Sequence, residues 1–361
     1  MPSPTTIGAF PGFYARYYGI NAEHSHSALP CPDSTLIVMN HTNSSQRAEL
    51  EPLPVNIPSV QPGGGVCYQI ELAWGRVRRW YLKTFRKAYV VRMAKLRHGD
   101  PTGCPHEVLD PRDLKYFRNQ CTASWPVSDD PFQWRERVPF ARWGLCELQL
   151  MAYPLALVTI IAASTFRRTY VPFYLIAPVT CVICGLIVWF FRDPERAIPQ
   201  EPSLFVSPAD GKVVDITRLE YDGYIDGPTV RIGLFLSIFN VHVNRAPAAA
   251  RVTALRYFPG QFISALNPAS AVENEAMWIG MEEEKPPYRR FAVRQIAGQF
   301  ARRIVCELRP GESVTRGHKF GMIKLGSRTE LYLPATEGLE IIAQLGQKVC
   351  AGADVLAKYQ T

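Results

Sequence analysis

The sequence predicts an α+β protein in which a transmembrane helical hairpin precedes a β-rich catalytic domain. Two uncharged runs, residues 148–166 and 169–191, each approach the roughly 20 residues that a helix needs to cross a bilayer. From residue 204 onward, short β-branched runs alternate with Gly and Pro turns, which is typical of strands. Near the C-terminal end, one glycine pattern occurs twice, at 311–317 and at 346–352.

The amino-acid composition limits the classes of protein to which this chain could belong. The 361 residues are 47% hydrophobic, which is enough for one large domain or two ordinary ones. The formal net charge of +8 suits nucleic acid or an anionic membrane surface. The nine cysteines are an odd number, and residues 1–30 lack the basic and apolar pattern of a signal peptide. We therefore expect reduced thiols in a protein that faces the cytoplasm.

Residues 1–140 are predicted to form a largely irregular N-terminal extension. Residues 1–70 are rich in Pro, Ser, Thr and Gly and show no helical or strand period, so part of the extension is predicted to be disordered. Between residues 72 and 98, basic and aromatic side chains alternate without a single acid. This stretch fits an amphipathic helix on a membrane surface. A solvated helix packed on its neighbour explains the pattern equally well.

The two uncharged runs are separated only by Arg167 and Arg168, so residues 141–196 are predicted to form a membrane hairpin. Buried helices of a soluble protein are the alternative. Basic residues occur both in the turn and on the flanks, so the charge pattern does not predict the orientation of the hairpin. We expect attachment to the cell (inner) membrane, with the catalytic domain on the cytoplasmic side.

Residues 197–361 are predicted to be the catalytic domain. The repeated pattern Gly-[Glu/Gln]-x-Val-x-x-Gly predicts two equivalent hairpins. Equivalent hairpins indicate a small, quasi-symmetric β sandwich or barrel.

Three segments of this domain carry residues that are able to do chemistry. They are residues 207–213 with Asp210, residues 239–245 with His242, and residues 320–328 with Gly326 and Ser327. Each has a purely structural explanation when taken singly: a turn, an alternating strand and a hairpin turn. Together they supply the acid, base and hydroxyl of a nucleophilic relay.

The residues around Ser327 favour attack on the protein's own chain. No Gly-x-Ser-x-Gly elbow surrounds it, and Gly326 precedes it directly. Glycine leaves the preceding carbonyl carbon unshielded and tolerates strained dihedral angles. The Ser327 hydroxyl could therefore attack the Gly326 carbonyl, and the ester formed could eliminate and hydrolyse to leave a pyruvoyl group.

The three segments, in this order and spacing, resemble the phosphatidylserine decarboxylase family over about residues 150–361. Further matching pieces lie at 191–196, 274–275, 295–298 and 301–304. The likeness is greatest to the compact bacterial and archaeal-like branch, whose cleavage site reads Gly-Ser-Arg. Arg328 thus departs from the commoner Gly-Ser-Thr.

The resemblance implies a self-processing enzyme that converts phosphatidylserine to phosphatidylethanolamine and carbon dioxide. His242 would take the proton of Ser327, and Asp210 would hold the imidazole. Cleavage between Gly326 and Ser327 would give a β chain and an α chain, and Ser327 would become the covalent pyruvoyl cofactor, which forms a Schiff base with the substrate amine. No metal is implied. The expected partners are a serine phospholipid, the membrane and the enzyme's own two chains. The resemblance does not decide whether the enzyme forms a homo-oligomer.

Other functions fit the sequence less well. The same chemistry could serve another serine-headed lipid, such as an archaetidylserine-like one. A hydrolase using Asp210, His242 and Ser327 would leave the chain intact and lacks the usual elbow. A non-catalytic, lipoyl-like β module would leave these three residues unexplained. Nucleic-acid binding is not expected, because the basic stretch adjoins the hydrophobic hairpin.

Overall fold

The computed structural model describes residues 47–361 except 166–172, 265–266, 268, 300–302, 325 and 361. The predicted disordered residues up to 46 and the turn at Arg167 and Arg168 lie outside the described residues. The helices are α1 (Val66–Phe85), α2 (Lys87–Leu96), α3 (Trp134–Arg137), α4 (Leu145–Thr165), α5 (Phe173–Phe190) and α6 (Ser270–Glu273). The strands are β1 (Leu204–Val206), β2 (Gly211–Asp222), β3 (Gly227–Leu236), β4 (Val243–Arg245), β5 (Ala250–Phe258), β6 (Ala276–Glu283), β7 (Arg290–Ala297), β8 (Ile304–Cys306), β9 (Ser313–Val314), β10 (Lys319–Ile323), β11 (Ser327–Pro334), β12 (Leu339–Ile341), β13 (Lys348–Val349) and β14 (Val355–Tyr359).

The segment before α1 packs as part of the β domain. Residues 47–65 contain no helix or strand, as their composition predicts, but their burial was not predicted. Ile57 is buried in the main hydrophobic core, and the Val60 carbonyl accepts a hydrogen bond of 2.8 Å from the Cys306 amide of β8. Residues 45–361 accordingly form one compact unit. The domain boundaries at 140 and 196 stay a prediction.

The basic stretch at 72–98 falls mostly within α1 and α2. One side of α1 is held by ion pairs to a following loop, from Arg78 to Asp110 and from Arg79 to Asp113. Apolar and aromatic side chains of α1 stay exposed elsewhere: Val66, Ile70, Trp74, Val77, Trp80, Tyr81 and Phe85. The helix is thus amphipathic, with its charged contacts directed to the protein.

Helices α4 and α5 pack against each other, and the Thr159 and Thr180 hydroxyl oxygens lie 2.7 Å apart. Large apolar side chains along both helices remain exposed, among them Leu150, Tyr153, Leu157, Ile160, Leu175, Val179, Val182 and Leu186. By length and composition, one described helical segment, Arg142–Ser164, could cross a membrane, and the apolar helix Leu175–Phe190 is shorter. The structure thus gives weak support to a transmembrane hairpin, from one helix.

The part of the chain from β1 to β14 contains a curled eight-stranded sheet and two three-stranded sheets, which confirms the predicted α+β class. The large antiparallel sheet has the order β13-β2-β3-β11-β7-β6-β5-β9, and the small ones have the orders β1-β14-β12 and β4-β10-β8. Side chains from all three sheets share one core, to which Phe205, Phe291 and Phe320 contribute. By its place in the strand order, β11 lies in the middle of the large sheet.

The two glycine repeats occupy equivalent places in this fold. Gly311, Gly317, Gly346 and Gly352 all have φ between 76° and 86°, the left-handed region that favours glycine. Each repeat contains one two-residue strand, and these strands, β9 and β13, form opposite edges of the large sheet. The repeats are equivalent in backbone and in position, as their shared pattern predicts.

Candidate active site

Ser327 lies at the centre of the fold. It begins β11 and pairs with Leu236 of β3 on one side and with Ala297 of β7 on the other. Its side chain is fully buried, and its hydroxyl has no hydrogen-bond partner among the described residues. A buried hydroxyl without a partner destabilises a protein by about 1–3 kcal/mol, so such a group suggests a chemical role. Gly326 precedes it with φ 63°, a left-handed conformation that glycine adopts without strain.

His242 connects Gly326, the residue before Ser327, to the loop before β4. Its Nδ1 donates to the Asn240 carbonyl at 2.9 Å, and its Nε2 accepts from the Gly326 amide at 3.1 Å. These partners fix the tautomer, because a carbonyl requires a donor and an amide requires an acceptor. The lone pair of Nε2 therefore faces the residue that precedes Ser327.

Burial keeps His242 neutral. The side chain is almost entirely inaccessible, and the Phe190 ring lies 4.6 Å from the imidazole between ring centroids. This burial, together with the positive charge of Arg192, lowers the pKa of His242 to about 4, although the hydrogen bond to Asn240 opposes the shift. The imidazole is thus able to accept a proton near neutral pH.

Asp210 does not make the contact with His242 that the sequence predicts. It accepts two hydrogen bonds from Arg196, at 3.0 and 2.8 Å, and one of 2.7 Å from the Ala351 amide. These contacts use both carboxylate oxygens, and the Asn240 carbonyl takes the place of Asp210 on the imidazole. Burial raises the pKa of Asp210, and the Ala351 amide and Arg196 oppose that shift. Asp210 also accepts from the Val241 amide, so its link to His242 runs through the backbone.

A cavity of about 390 Å³ borders this site. Its wall includes Phe190, which contacts the His242 ring, and Ile238, which lies beside Gly326. Apolar side chains of α4 and α5 supply much of the rest, namely Met151, Ile183, Leu186, Ile187 and Trp189. The cavity therefore extends from helices α4 and α5 to the neighbourhood of Gly326.

The polar side chains of the cavity were not predicted. They are Gln61, Glu147, Arg303 and Lys324. Lys324 and Arg303 stand within segments that the sequence analysis singled out, and Glu147 is the one acid at the start of the apolar run. These three residues could therefore have been proposed as site residues from the sequence. Gln61 has no local signal, because its place depends on a contact between residues far apart in the chain.

Comparisons with known proteins indicate one family. A family model described as phosphatidylserine decarboxylase matches residues 184–357. A phosphatidylserine decarboxylase proenzyme of Rhodopirellula baltica is 49% identical over 247 residues, which are 68% of this chain and 99% of that protein. Proteins of the same name are 36% identical in Desulfotalea psychrophila (62% of this chain, 97% of the relative) and 44% identical in Carboxydothermus hydrogenoformans (48% of this chain, 79% of the relative).

The lowered pKa of His242 predicts how self-cleavage should depend on pH. The base must be neutral, and a pKa of about 4 keeps it so above about pH 5. For precursor made by cell-free translation into vesicles, we expect the rate of cleavage to stay level from pH 8 to about 5 and then to fall. Arg192→Gln removes a charge that lowers the pKa of His242, so its fall should begin at a higher pH. A midpoint near the ordinary histidine value of about 6.5 would count against His242 as the buried base.

Proposed function

Because the chain belongs to the phosphatidylserine decarboxylase family, we propose that it converts phosphatidylserine to phosphatidylethanolamine and carbon dioxide. One observation carries the proposal in this chain. The unpaired hydroxyl of Ser327 follows a left-handed glycine whose amide is bound to a neutral histidine. A hydroxyl needs a base close by to become a nucleophile, and His242 supplies one.

The proposed self-cleavage uses only residues of the chain. The Ser327 Oγ attacks the Gly326 carbonyl carbon, His242 accepts the hydroxyl proton, and the peptide C–N bond is replaced by an ester. Nε2 must first exchange the Gly326 amide for the Ser327 hydroxyl, which belongs to the next residue. Elimination then releases the Gly326 carboxylate as the end of the β chain. Water hydrolyses the remaining residue 327 to a pyruvoyl group, and ammonia leaves.

The surroundings of residue 327 fit such a group. The position is buried, and strands β3 and β7 flank it on both sides, so the new chain end would stay in the sheet after cleavage. Arg328 adds a further anchor: its guanidinium donates to Asp215 at 3.2 Å and to Glu330 at 2.9 Å. Arg328, which stands where the commoner pattern has Thr, thus joins β11 to β2 of the same sheet. The pyruvoyl carbonyl would supply an acceptor for the substrate amine and for the electrons left by carbon dioxide.

The cavity supports a lipid as substrate. Its apolar walls come from the hairpin helices, and its polar residues include the two cations Lys324 and Arg303. A serine headgroup presents a primary amine and a carboxylate at one end of an apolar molecule. Such a molecule could place its hydrocarbon along the hairpin and its headgroup toward the cleavage site. Another serine-headed lipid would have the same chemistry and is the runner-up.

Residues 141–196 are proposed to anchor the enzyme in the cell (inner) membrane, with the catalytic domain on the cytoplasmic side. The exposed apolar side chains of α4 and α5 support an anchor, because water would otherwise cover them. Exposed aromatic side chains of α1, such as Trp74 and Trp80, would lie at the membrane surface. Exposed basic residues of α1 and α2, such as Arg76 and Arg92, would favour anionic lipid.

The substrate assignment predicts a selective reaction. Full-length protein in detergent micelles should release carbon dioxide from phosphatidylserine and form phosphatidylethanolamine, both detectable by mass spectrometry. Free serine should be turned over poorly, because it cannot use the apolar walls. Ser327→Ala is the inactive control. Equal turnover of free serine and lipid would sink the lipid assignment, and turnover of an archaetidylserine-like lipid alone would promote the runner-up.

The anchor predicts resistance to extraction. Membranes containing the full-length chain should retain it in alkaline carbonate and in 1 M salt. Leu157→Lys places a charge on the exposed apolar face of α4 and should weaken retention, whereas Val214→Lys, at an apolar and exposed position on β2, should not. Complete release of the unaltered protein by salt would indicate attachment by charge alone.

A further inference from the structure

The polar end of the cavity is assembled from three distant parts of the chain. Lys324 precedes the cleavage site, and its ammonium donates to Gln61 at 3.1 Å and to Glu147. Its backbone amide donates to the Arg303 carbonyl at 3.1 Å, which places the two cationic residues side by side. Gln61 and Glu147 both lie outside the residues 184–357 that match the family model. Residues before the family domain therefore help to build its cavity.

The glycine-rich turn at 62–65 brings Gln61 into place by close packing. A side chain on Gly63 would come within 2.8 Å of the Glu275 carboxylate, and one on Gly65 within 2.7 Å of the Arg303 guanidinium. Gln61 is itself buried and closes the turn by donating to the Gly64 carbonyl at 2.6 Å. At Gly65 the backbone also has φ 135°, a conformation that residues with a side chain rarely adopt.

The Lys324 ammonium retains capacity for a ligand. An ammonium has three N–H donors, and the described residues accept from two of those of Lys324. Lys324 and Arg303 carry two positive charges, against one negative charge on Glu147, in a cavity with mainly apolar walls. Glu275 lies beside Arg303, but burial raises its pKa to about 7, so it offsets that charge only in part near neutral pH. The negatively charged oxygen of a ligand would neutralise the remaining positive charge of the cavity.

We propose that Lys324 and Arg303 bind the phosphodiester of the lipid headgroup, and that Gln61 positions Lys324 for this contact. The inference rests on the proposed function for its substrate class. The phosphodiester is the better partner than the substrate carboxylate, because that carboxylate must lose its charge as carbon dioxide forms. Cations bound to it would stabilise the ground state and slow the reaction. A phosphodiester keeps its charge throughout and can be held without that penalty.

The test measures binding without turnover. Full-length Ser327→Ala in detergent cannot form the cofactor, and calorimetry would give its Kd for glycerophosphoserine, glycerophosphoethanolamine, free serine and inorganic phosphate. In this background, Lys324→Met removes the ammonium but keeps the length of the side chain, and Lys324→Arg keeps the charge. Lys348→Met removes an exposed lysine of β13 and is the matched control.

Lys324→Met should weaken both glycerophospho compounds by at least about tenfold, the loss of one charge-assisted hydrogen bond. Lys324→Arg should restore most of the affinity, Gln61→Met should give an intermediate loss, and Lys348→Met should change nothing. The Kd of free serine should be the same in all of these variants. Phosphate binding equal to that of the glycerophospho compounds would overturn the headgroup assignment. So would a loss confined to glycerophosphoserine, which would identify the carboxylate as the ligand, or affinities within about twofold of the parent.

If Lys324→Met does not fold, Gln61→Glu decides the matter. Its second carboxylate would hold the ammonium away from a ligand and should weaken both glycerophospho compounds about tenfold, whereas unchanged affinity would overturn the proposal. The result is separate from the proposed function, because wild-type turnover is not part of it. Intact headgroup binding without any decarboxylation would sink the proposed function alone.

Discussion

The site depends on one hydrogen-bonded bridge, in which a neutral imidazole joins the Asn240 carbonyl to the Gly326 amide. This bridge sets the tautomer of His242 and places its lone pair at the junction before β11. It also requires the left-handed backbone of Gly326, since the amide must point at the ring while β11 continues in the sheet. Burial completes the constraint, because a solvated imidazole would be partly protonated near neutral pH and would lose its acceptor.

The large sheet supplies the rigidity that this bridge needs. Both neighbours pair with β11 from Ser327 onward, through Leu236 of β3 and Ala297 of β7, so a break before Ser327 leaves the strand paired on either side. On the opposite face, Arg328 joins Asp215 of β2 to Glu330, and Glu330 also accepts from Tyr332. Burial alone would raise the pKa of Glu330, but Arg294, Arg231 and Arg328 hold it below the ordinary value. A buried carboxylate bound in this way would help to keep the strand in place after cleavage.

What the sequence could predict was mostly local. The two glycine repeats indicated equivalent turns, because a positive φ leaves a direct trace in residue type. The segments around His242 and Ser327 indicated a base and a nucleophile, and the structure brings His242 to the residue before Ser327. The partner of Asp210 could not be predicted, because Arg196 and the Ala351 amide reach it from other parts of the chain. The burial of Ile57 and the contact of Gln61 with Lys324 likewise depend on tertiary packing that no local pattern encodes.

The proposed function requires that the chain cuts itself at the Gly326–Ser327 junction and keeps the new end as its cofactor. Intact-mass measurement of the purified full-length protein tests this most directly. We expect two chains, residues 1–326 and residues 327–361, of which the shorter begins with a pyruvoyl group. Ser327→Ala should give a single uncut chain. A wild-type chain that stays at full length and still decarboxylates phosphatidylserine would contradict it.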